Sequence, residues 1–237
     1  MKLTPRLQAI AELIPPGSVV ADIGTDHAYL PVYLLLEQIC DRAIASDMHE
    51  APLLQAQETI AAFNCHQRIE LRLGRGLEVL KEDDHVDTVV IAGLGGGTIA
   101  SIIREGRELL QSVARIILQP MTEAEQLRLF LAANGFAIVH ETLALEGRRL
   151  YEIIVARAGR ETETDPFRLA LGPRLLENRP PLFTMLLQEK IRKLRTVYRS
   201  LQRAEKKDVS AKLQEVKKQL DNLQEVLADA GKYPDGD

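Results

Sequence analysis

Ser18-Val19-Val20-Ala21-Asp22-Ile23-Gly24-Thr25-Asp26-His27 is the stretch of sequence that best indicates the fold. It begins as an apolar run typical of a buried strand, reaches Asp-x-Gly, and passes through a polar turn before a helical pattern that starts near Pro31. A strand, a glycine turn and a helix in this order commonly hold a nucleotide-type cofactor, because glycine lets the backbone approach the ligand closely. The stretch therefore predicts a cofactor site.

The charge of this turn indicates the class of cofactor. The NAD-binding version reads Gly-x-Gly-x-x-Gly and receives a pyrophosphate at a helix N-terminus. Here the second and third glycines are missing, and Asp22 and Asp26 would disfavour a pyrophosphate. A cofactor with a positive or zwitterionic head group suits these carboxylates, and S-adenosylmethionine (S-adenosyl-L-methionine) is the obvious one. Asp22, Gly24 and Thr25 are accordingly assigned to cofactor binding.

Short β-type runs alternate with helical patterns from residue 18 to about residue 157, which predicts a mostly parallel sheet with helices on both faces. The predicted strands are Val19–Ile23, Ala43–Asp47, Ile69–Leu73, Thr88–Ala92, Arg115–Gln119, Ala137–Leu145 and Leu150–Arg157. The predicted helices are Arg6–Ile14, Pro31–Gln38, Ala51–Phe63, Thr98–Leu110 and Glu123–Ala133. A hairpin-length connection precedes the last strand, which should therefore be antiparallel. This α/β pattern resembles the Rossmann-like class I methyltransferase fold rather than the dinucleotide-binding fold.

Two amphipathic runs follow after a change of composition near Arg157. Their apolar residues are Leu187, Ile191, Leu194, Tyr198 and Leu201 in the first run, and Leu213, Val216, Leu220, Leu223 and Leu227 in the second. These narrow seams predict an antiparallel coiled-coil hairpin that turns at Lys206-Lys207-Asp208 and frays after Gly231. We expect a monomer, with a dimer through these helices as the alternative. The expected domains are 1–158 for cofactor binding and catalysis and 166–230 for the helices.

The net charge of −4 hides a strongly basic segment. Between Gln188 and Lys218 there are eleven Lys or Arg and four Asp or Glu, a net charge of +7. Such asymmetry predicts polyanion binding, although a solvated helix surface is the alternative. Arg192, Arg195 and Arg199 are the residues assigned to RNA contacts.

Other features of the composition exclude several classes of protein. The two cysteines, Cys40 and Cys65, and the five scattered histidines lack metal-ligand spacing, so no metal site is predicted. No apolar run approaches the ~20 residues of a membrane span, and no signal region follows Met1. We expect a cytoplasmic protein that does not bind membranes.

Further site residues are predicted where other strands end. Asp47 lies 25 residues after Asp22, at a spacing typical of an acid that binds ribose hydroxyls, with a helix N-cap as the alternative. Its neighbour Met48 is assigned to the same cofactor site. Gly76 and Leu77 follow the third strand, where they either adjoin the adenine or form a plain turn.

A glycine-rich segment, Ala92-Gly93-Leu94-Gly95-Gly96-Gly97, follows the fourth strand, which should lie directly beside the first. Both loops would then line one cleft at the carboxyl edge of the sheet. Ala92 and Gly93 are assigned to the cofactor. Gly95 and Gly96 are assigned to the substrate, because glycines there leave space in which a flat base can meet a methyl group.

Three motifs together resemble the bacterial tRNA adenine-N1 methyltransferase family that modifies position 22, the TrmK family. They are Asp22-Ile23-Gly24-Thr25-Asp26-His27-Ala28-Tyr29-Leu30-Pro31, Ala92–Gly97 and Leu118-Gln119-Pro120. The resemblance runs from Leu7 to about Ala158, and the helical tail is similar to the family's C-terminal extension. It implies S-adenosylmethionine as cofactor, tRNA as substrate and 1-methyladenosine as product. Met121 departs from the family pattern, because the resemblance implies a polar residue such as Asn at this position.

The chemistry of adenine favours the same reaction. Enzymes that methylate the exocyclic amine usually carry Asn/Asp-Pro-Pro-aromatic after the fourth strand, and this chain has Ala-Gly-Leu-Gly. Ring N1 is already nucleophilic and needs positioning more than a strong base. The product ring is cationic, so the Asp26 carboxylate is the candidate group to stabilise it. His27 is the second catalytic candidate, since it could orient Asp26 or contact the base.

Three more residues are assigned to the substrate, each with an alternative. Tyr29 could stack on the base or belong to the core. Gln119, followed by Pro120, could hydrogen-bond the substrate or cap the next helix. The rival functions are methyl transfer to a small molecule or a protein, and RNA binding by a non-catalytic protein with a relic cofactor fold.

Overall fold

The computed structural model describes residues 1–203 and 210–230. The chain divides into two compact units, Met1–Leu176 and Glu177–Asp237. The strands of the first unit are β1 Ser18–Ile23, β2 Cys40–Asp47, β3 Ile69–Leu73, β4 Thr88–Gly95, β5 Arg115–Thr122, β6 Phe136–Glu146 and β7 Arg149–Ala158. They form one sheet in the order β3-β2-β1-β4-β5-β7-β6, in which β7 is antiparallel to β5 and β6 and the other pairs are parallel. The predicted Rossmann-like methyltransferase fold and its antiparallel last strand are confirmed.

The helices that precede the two long C-terminal ones are α1 Pro5–Ala11, α2 Tyr29–Leu36, α3 Glu50–Ala62, α4 Gly96–Glu105, α5 Arg107–Leu110, α6 Ala124–Ala133, α7 Pro166–Leu171 and α8 Pro173–Asn178, with 3-10 helices at Gly76–Val79 and Glu82–Asp84. Those up to α6 lie close to the five predicted helices, whereas α7, α8 and the 3-10 helices are not among the predicted elements. The single helix predicted over 98–110 is two helices. The break lies at Gly106, where an added Cβ would lie only 2.7 Å from Leu77 Cβ. Leu77 therefore leaves no room for a side chain at this position. No described helix is both long and apolar enough to cross a membrane.

The core consists of two apolar clusters, and the strands contribute alternate residues to them. Val89 and Ile91 belong to one cluster and Val90 to the other, and all three are fully buried. This alternation is expected when helices cover both faces of a sheet. The central strands are therefore rigid supports for the loops that follow their carboxyl ends.

A buried ionic network extends the first unit beyond the predicted boundary near Ala158. Arg128 on α6 is fully buried and donates hydrogen bonds to Glu141 Oε1 at 2.6 Å, to Glu152 Oε2 at 2.7 Å and to the carbonyl of Ala170 at 3.1 Å. The last of these bonds ties α7 to α6. As a result the first unit continues to Leu176.

Removal of the Arg128 side chain should destabilise this unit strongly. Arg128→Met leaves the buried carboxylate of Glu141 without its cationic partner, which typically costs about 3–5 kcal/mol and should lower Tm by roughly 10 °C. The matched control is Arg168→Met, since Arg168 is half-exposed in its pair with Glu163 and should matter little. Equal Tm values for the two variants in thermal unfolding would contradict this account of the network.

The second unit contains two long helices, α9 Phe183–Arg203 and α10 Ser210–Ala230, that pack on each other. The side chain of Arg179 donates to Asp229, so the end of α10 lies beside the start of α9 and the helices are antiparallel. The predicted seams are the covered faces: Ile191, Val216, Leu220 and Leu223 are buried. The predicted turn at Lys206-Lys207-Asp208 and the predicted fraying after Gly231 lie outside the described residues.

Candidate active site

The candidate site lies at the carboxyl edge of the sheet, where β1, β2 and β4 end side by side. Asp22 is in register with Ala45 of β2 and Val90 of β4, and Asp47 is in register with Leu73 of β3. The turns after these strands therefore meet at one edge, as the sequence predicts. In folds of this kind, ligands bind at the carboxyl edge where the strand order reverses, here between β1 and β4.

Asp22 is a buried carboxylate with few partners. Only 7% of the residue is exposed, and its carboxyl group hydrogen-bonds the side chain of Thr25. Burial raises the pKa of Asp22 from 3.8 to about 6; the Thr25 bond and the charge of Arg6 lower it, and Asp47 raises it. A cationic group placed against Asp22 would offset the desolvation of its carboxylate.

Gly24 and Thr25 shape the turn after β1. Both backbone amides donate to the carbonyl of Ser46 at 2.8 Å, so neither is free to bind a ligand. Gly24 has φ +81°, which favours glycine, and an added Cβ would lie 3.6 Å from Leu94 Cδ1. Thr25 is 3% exposed and acts on Asp22 through its hydrogen bond. Gly24 and Thr25 thus hold Asp22 and the turn in place, and their predicted direct contact with the cofactor stays a prediction.

Asp47 has one carboxylate oxygen committed to its own turn and one available. Its Oδ1 accepts from the backbone amide of His49 at 2.9 Å and lies 3.2 Å from His49 Nδ1, while Oδ2 makes no hydrogen bond with the described residues. The N-cap of α3 is His49, so the N-cap alternative for Asp47 is wrong. The side chains of Met48 and Leu73 beside it are exposed, at 60% and 56%. Asp47 thus presents an acceptor next to apolar surfaces.

The tip of the β1–α2 turn carries three side chains together. His27 Nε2 lies 3.5 Å from Asp26 Oδ2, and the rings of His27 and Tyr29 stack with centroids 5.1 Å apart. Between them Ala28 has φ +54°, an uncommon backbone conformation for a residue other than glycine. Asp26 is largely exposed, His27 is one-third exposed and Tyr29 is 44% exposed. Tyr29 is therefore not a core residue, and its ring is supported by His27.

Gln119 does not face a substrate. It is fully buried, and its Oε1 accepts from Arg6 Nη1 at 2.8 Å and from the amide of Gly93 at 3.2 Å. Its Nε2 donates to the carbonyl of Pro120, which is also buried. Gln119 therefore links helix α1 to the turn at Gly93, and the substrate roles predicted for Gln119 and Pro120 find no exposed side chain in this structure.

Several of the other predicted glycine contacts are packing contacts. An added Cβ on Gly96 would lie 2.7 Å from the carbonyl oxygen of Glu123, so glycine is needed there to let α4 start against the β5–α6 turn. Gly96 is buried, so its position is explained by packing without a substrate contact. Gly95 ends β4 beside Thr122, whose Oγ1 would lie 3.4 Å from an added Cβ. Ala92 and Gly93 remain accessible, since Gly93 is exposed.

The turn after β3 also contributes mainly packing. Leu77 is 4% exposed and belongs to the apolar core, so its side chain cannot line a cofactor site. Gly76 has φ +54° and packs on Ile102. Only the backbone of this turn could adjoin a ligand, so the predicted contact of Gly76 and Leu77 with the adenine is limited to their backbone atoms.

Arg6 is the site residue that sequence reasoning did not find. Arg6 lies on α1, and its guanidinium donates to Gln119 and lies over the ring of Tyr151. Its positive charge also lowers the pKa of Asp22. An Arg near the start of a chain carries no motif. The available signal is that the helix predicted over Arg6–Ile14 begins with this cationic side chain.

In the second unit, the three predicted arginines lie together. Arg192, Arg195 and Arg199 line a groove of about 560 Å³ between α9 and α10. Within their described ranges α9 carries six Lys or Arg and one Glu, whereas α10 carries three Lys and four Asp or Glu. The positive charge is therefore concentrated on α9. Among the described residues, no group of three His, Cys, Asp or Glu could hold a metal ion.

Comparison with known proteins agrees with this geometry. The TrmK family model, described as tRNA (adenine(22)-N(1))-methyltransferase, matches residues 20–225. The chain is 35% identical over 233 residues to the tRNA (adenine(22)-N(1))-methyltransferase of Bacillus subtilis (strain 168), covering 96% of this chain and 98% of that protein.

Solved structures agree over almost the whole chain. The crystal structure of the B. subtilis m1A22 tRNA methyltransferase TrmK is 33% identical, with a TM-score of 0.86 over 95% of this chain and 99% of that one. A Streptococcus pneumoniae structure in complex with S-adenosyl-L-methionine is 32% identical, with a TM-score of 0.85 over 95% of this chain and 100% of that one. This chain belongs to the TrmK family of tRNA (adenine(22)-N(1))-methyltransferases.

Proposed function

We propose that this protein methylates N1 of adenosine 22 in tRNA and forms 1-methyladenosine, with S-adenosylmethionine as the methyl donor. The observation that carries the proposal is the β1–α2 turn, which places a buried carboxylate, Asp22, a few residues before an exposed Asp26–His27 pair. One carboxylate suits a bound cation, and the other is accessible to a base. Membership of the TrmK family supports the same reaction.

The residues present fit S-adenosylmethionine. The desolvated carboxylate of Asp22 suits the cofactor's ammonium group, and the available Oδ2 of Asp47 suits its ribose hydroxyls. The exposed side chain of Met48 and the turn at Gly76 and Leu77 would border its adenine. When bound, the cofactor supplies a methyl group on a positively charged sulfur, a group that adenine N1 can accept with its in-plane lone pair.

The exposed residues of the turn act on the base. Asp26 presents a carboxylate that stabilises the positive charge of the methylated ring, since electrostatic groups of this kind act where charge develops. His27 orients Asp26 across 3.5 Å, and Tyr29, stacked on His27, offers a ring face to the base. Gly93, which is assigned to the cofactor, leaves room for it because its exposed backbone carries no side chain.

The two units divide the work in this proposal. The sheet unit, which the sequence places at 1–158 and which extends to Leu176, performs the chemistry. The long helices α9 and α10, which lie within the predicted tRNA-binding domain 166–230, grip tRNA. The target N1 edge lies inside a helix, and turning the adenosine outward costs a few kcal/mol. Phosphate contacts to α9 offset this cost. Tyr198 is the only aromatic residue of the Arg-lined part of α9, which favours recognition of phosphates and shape over base stacking.

Charge reversal on α9 should weaken tRNA binding. We expect the double variant Arg192→Glu/Arg195→Glu to bind unmodified tRNA about 10–100-fold more weakly and to lose about two units of salt slope, because two phosphate contacts disappear. Affinity for S-adenosylhomocysteine should not change. The measurement is a tRNA-binding titration at several salt concentrations.

The matched control for this variant is Lys217→Glu/Lys218→Glu, which makes the same change of charge at two exposed residues outside the groove. If both double variants weaken binding equally, general charge rather than the groove binds tRNA. If neither has an effect, the reading as a methyltransferase for a small molecule or protein is favoured.

The reaction itself is tested on unmodified total tRNA with labelled S-adenosylmethionine, followed by digestion to nucleosides and mass spectrometry. We expect label in 1-methyladenosine and none in N6-methyladenosine, which has the same mass but a different retention time. Label in N6-methyladenosine would contradict the proposed atom. Cofactor binding without any labelled nucleoside would contradict the proposed substrate.

A further inference from the structure

Tyr151 on β7 lies where two arginines approach one ring. The guanidinium carbon of Arg6 is 5.7 Å from the ring centroid, and that of Arg149 is 5.1 Å from it. The ring is half-buried and packs against one of the two apolar clusters. A guanidinium over an aromatic face is attracted by the ring's quadrupole, within about 6 Å of the centroid. One fixed ring can therefore hold two cationic side chains that would otherwise repel each other.

The first of these arginines belongs to the cofactor side of the site. Arg6 Nη1 donates to Gln119 Oε1, which also accepts from the amide of Gly93, and its charge acts on the carboxylate of Asp22. Three elements that are distant in sequence, α1, β4 and β5, thus depend on the position of one guanidinium. The orientation of Arg6 matters because Gln119 is buried, and among the described residues the donors to its Oε1 are the Arg6 guanidinium and the Gly93 amide.

The second arginine binds the end of β5. Arg149 Nη2 donates to the carbonyl of Met121 at 2.9 Å. Met121 lies two residues after Gln119, near the end of β5, where the chain turns into α6 at the carboxyl edge of the sheet. Arg149 follows the β6–β7 turn directly, so its guanidinium connects that turn to the end of β5.

We infer that Tyr151 is a positioning residue, whose ring holds Arg6 and Arg149 in place and so fixes the end of β5 relative to the cofactor side of the site. The inference rests on the proposed function. Loss of the ring should lower kcat with both substrates saturating, because the base and the cofactor would no longer be held in one geometry. The hydroxyl group has no part in this role, so phenylalanine should replace tyrosine.

The test compares Tyr151→Leu, Tyr151→Phe and Tyr33→Leu in the full chain. Tyr33 is the matched control, because it packs against the same apolar cluster. Four quantities are measured for each variant: kcat, the KM for tRNA, the affinity for S-adenosylhomocysteine, and Tm. We expect Tyr151→Leu to lower kcat at least tenfold and to weaken S-adenosylhomocysteine binding about fivefold. Tyr151→Phe should stay within about threefold of wild type, and Tyr33→Leu should lower Tm without these losses.

A second comparison tests the link through Arg149. Arg149→Met should raise the KM for tRNA and lower kcat. In the double variant Arg149→Met/Tyr151→Leu, the loss of kcat should be much smaller than the product of the two single losses, because both changes break the same contact. Full additivity would show that the two residues act independently and would overturn the inference.

Other outcomes also overturn the inference. The first is a kcat of Tyr151→Leu equal to that of wild type. The second is a kcat of Tyr151→Phe as low as that of Tyr151→Leu. The third is a Tyr33→Leu variant whose kcat falls as much as that of Tyr151→Leu when its Tm falls. The proposed function is judged separately, by whether wild type forms 1-methyladenosine in the same assay. If it does not, the S-adenosylhomocysteine affinities of the three variants still decide the role of Tyr151.

Discussion

Asp22→Asn should weaken the binding of S-adenosylhomocysteine by about 100-fold, or about 3 kcal/mol, because the cofactor's ammonium loses a buried anionic partner. The same variant should be more stable than wild type at pH 7. Burial raises the pKa of Asp22 to about 6, so the folded protein carries a desolvated carboxylate at neutral pH. The neutral amide removes this cost, which is at most about 3 kcal/mol for a shift of this size.

The direction of the pH dependence follows from the same shift. Because the pKa of Asp22 in the folded protein lies above its ordinary value of 3.8, its contribution to the free energy of unfolding falls as the pH rises from about 4 to about 6. The stability gain of Asp22→Asn should therefore be present at pH 7 and absent at pH 4. The affinity for the cofactor should instead rise with pH. Wild type should bind S-adenosylhomocysteine about tenfold more weakly at pH 5 than at pH 7, because protonation removes the charge that binds the ammonium.

The control for this variant is Asp41→Asn, which makes the same substitution at an exposed residue at the start of β2. Isothermal titration and thermal unfolding at pH 4, 5 and 7 measure both effects. Wild-type affinity that does not vary between pH 5 and 7, or Asp22→Asn with normal affinity, would remove Asp22 from cofactor binding.

Asp26→Ala should lower kcat by about 100-fold or more while the affinity for S-adenosylhomocysteine stays within about twofold of wild type. Losses of this size are usual when a group that stabilises developing charge is removed. The separation between turnover and affinity is expected because Asp26 is exposed at the tip of the turn, whereas Asp22 is buried. Single-turnover methylation of tRNA with saturating cofactor measures the effect.

A matched control for Asp26→Ala is Asp83→Ala, which removes an exposed carboxylate from a 3-10 helix before β4. It should leave both turnover and cofactor affinity unchanged. The turnover of His27→Ala should lie between those of Asp26→Ala and Asp83→Ala, because in the proposed mechanism His27 acts through Asp26. Normal turnover in Asp26→Ala would exclude the carboxylate from the mechanism.

The fold and the cofactor turn could be predicted because their signals are local. The alternation of strands and helices, the hairpin-length connection before β7 and the Asp-x-Gly turn are each visible within about ten residues. The seams of α9 and α10 are visible for the same reason, since a repeat of apolar residues defines the covered face of a helix. Asp22 and Asp47 are assigned to the cofactor from their places near the ends of predicted strands, and this role stays a prediction.

Other features could not be predicted because they depend on contacts between residues that are distant in sequence. Gln119 looks like a substrate ligand because it is polar and follows a strand, but Arg6 reaches it from 113 residues away and commits its side chain to the interior. Gly96 is equally ambiguous in sequence, since glycine serves both close ligand approach and close backbone packing. The buried Arg128–Glu141 pair moved the boundary of the first unit, and charged residues give no sequence signal that they will be buried together.

The most direct test of the central claim uses two transcripts of one tRNA, one with adenosine at position 22 and one with guanosine there. Each is incubated with the protein and labelled S-adenosylmethionine, and the modified nucleoside is then identified and mapped by mass spectrometry of nuclease fragments. We predict 1-methyladenosine at position 22 of the first transcript and no methylation of the second. Equal labelling of both transcripts, or a methyl group on another atom or at another position, would contradict the proposed function.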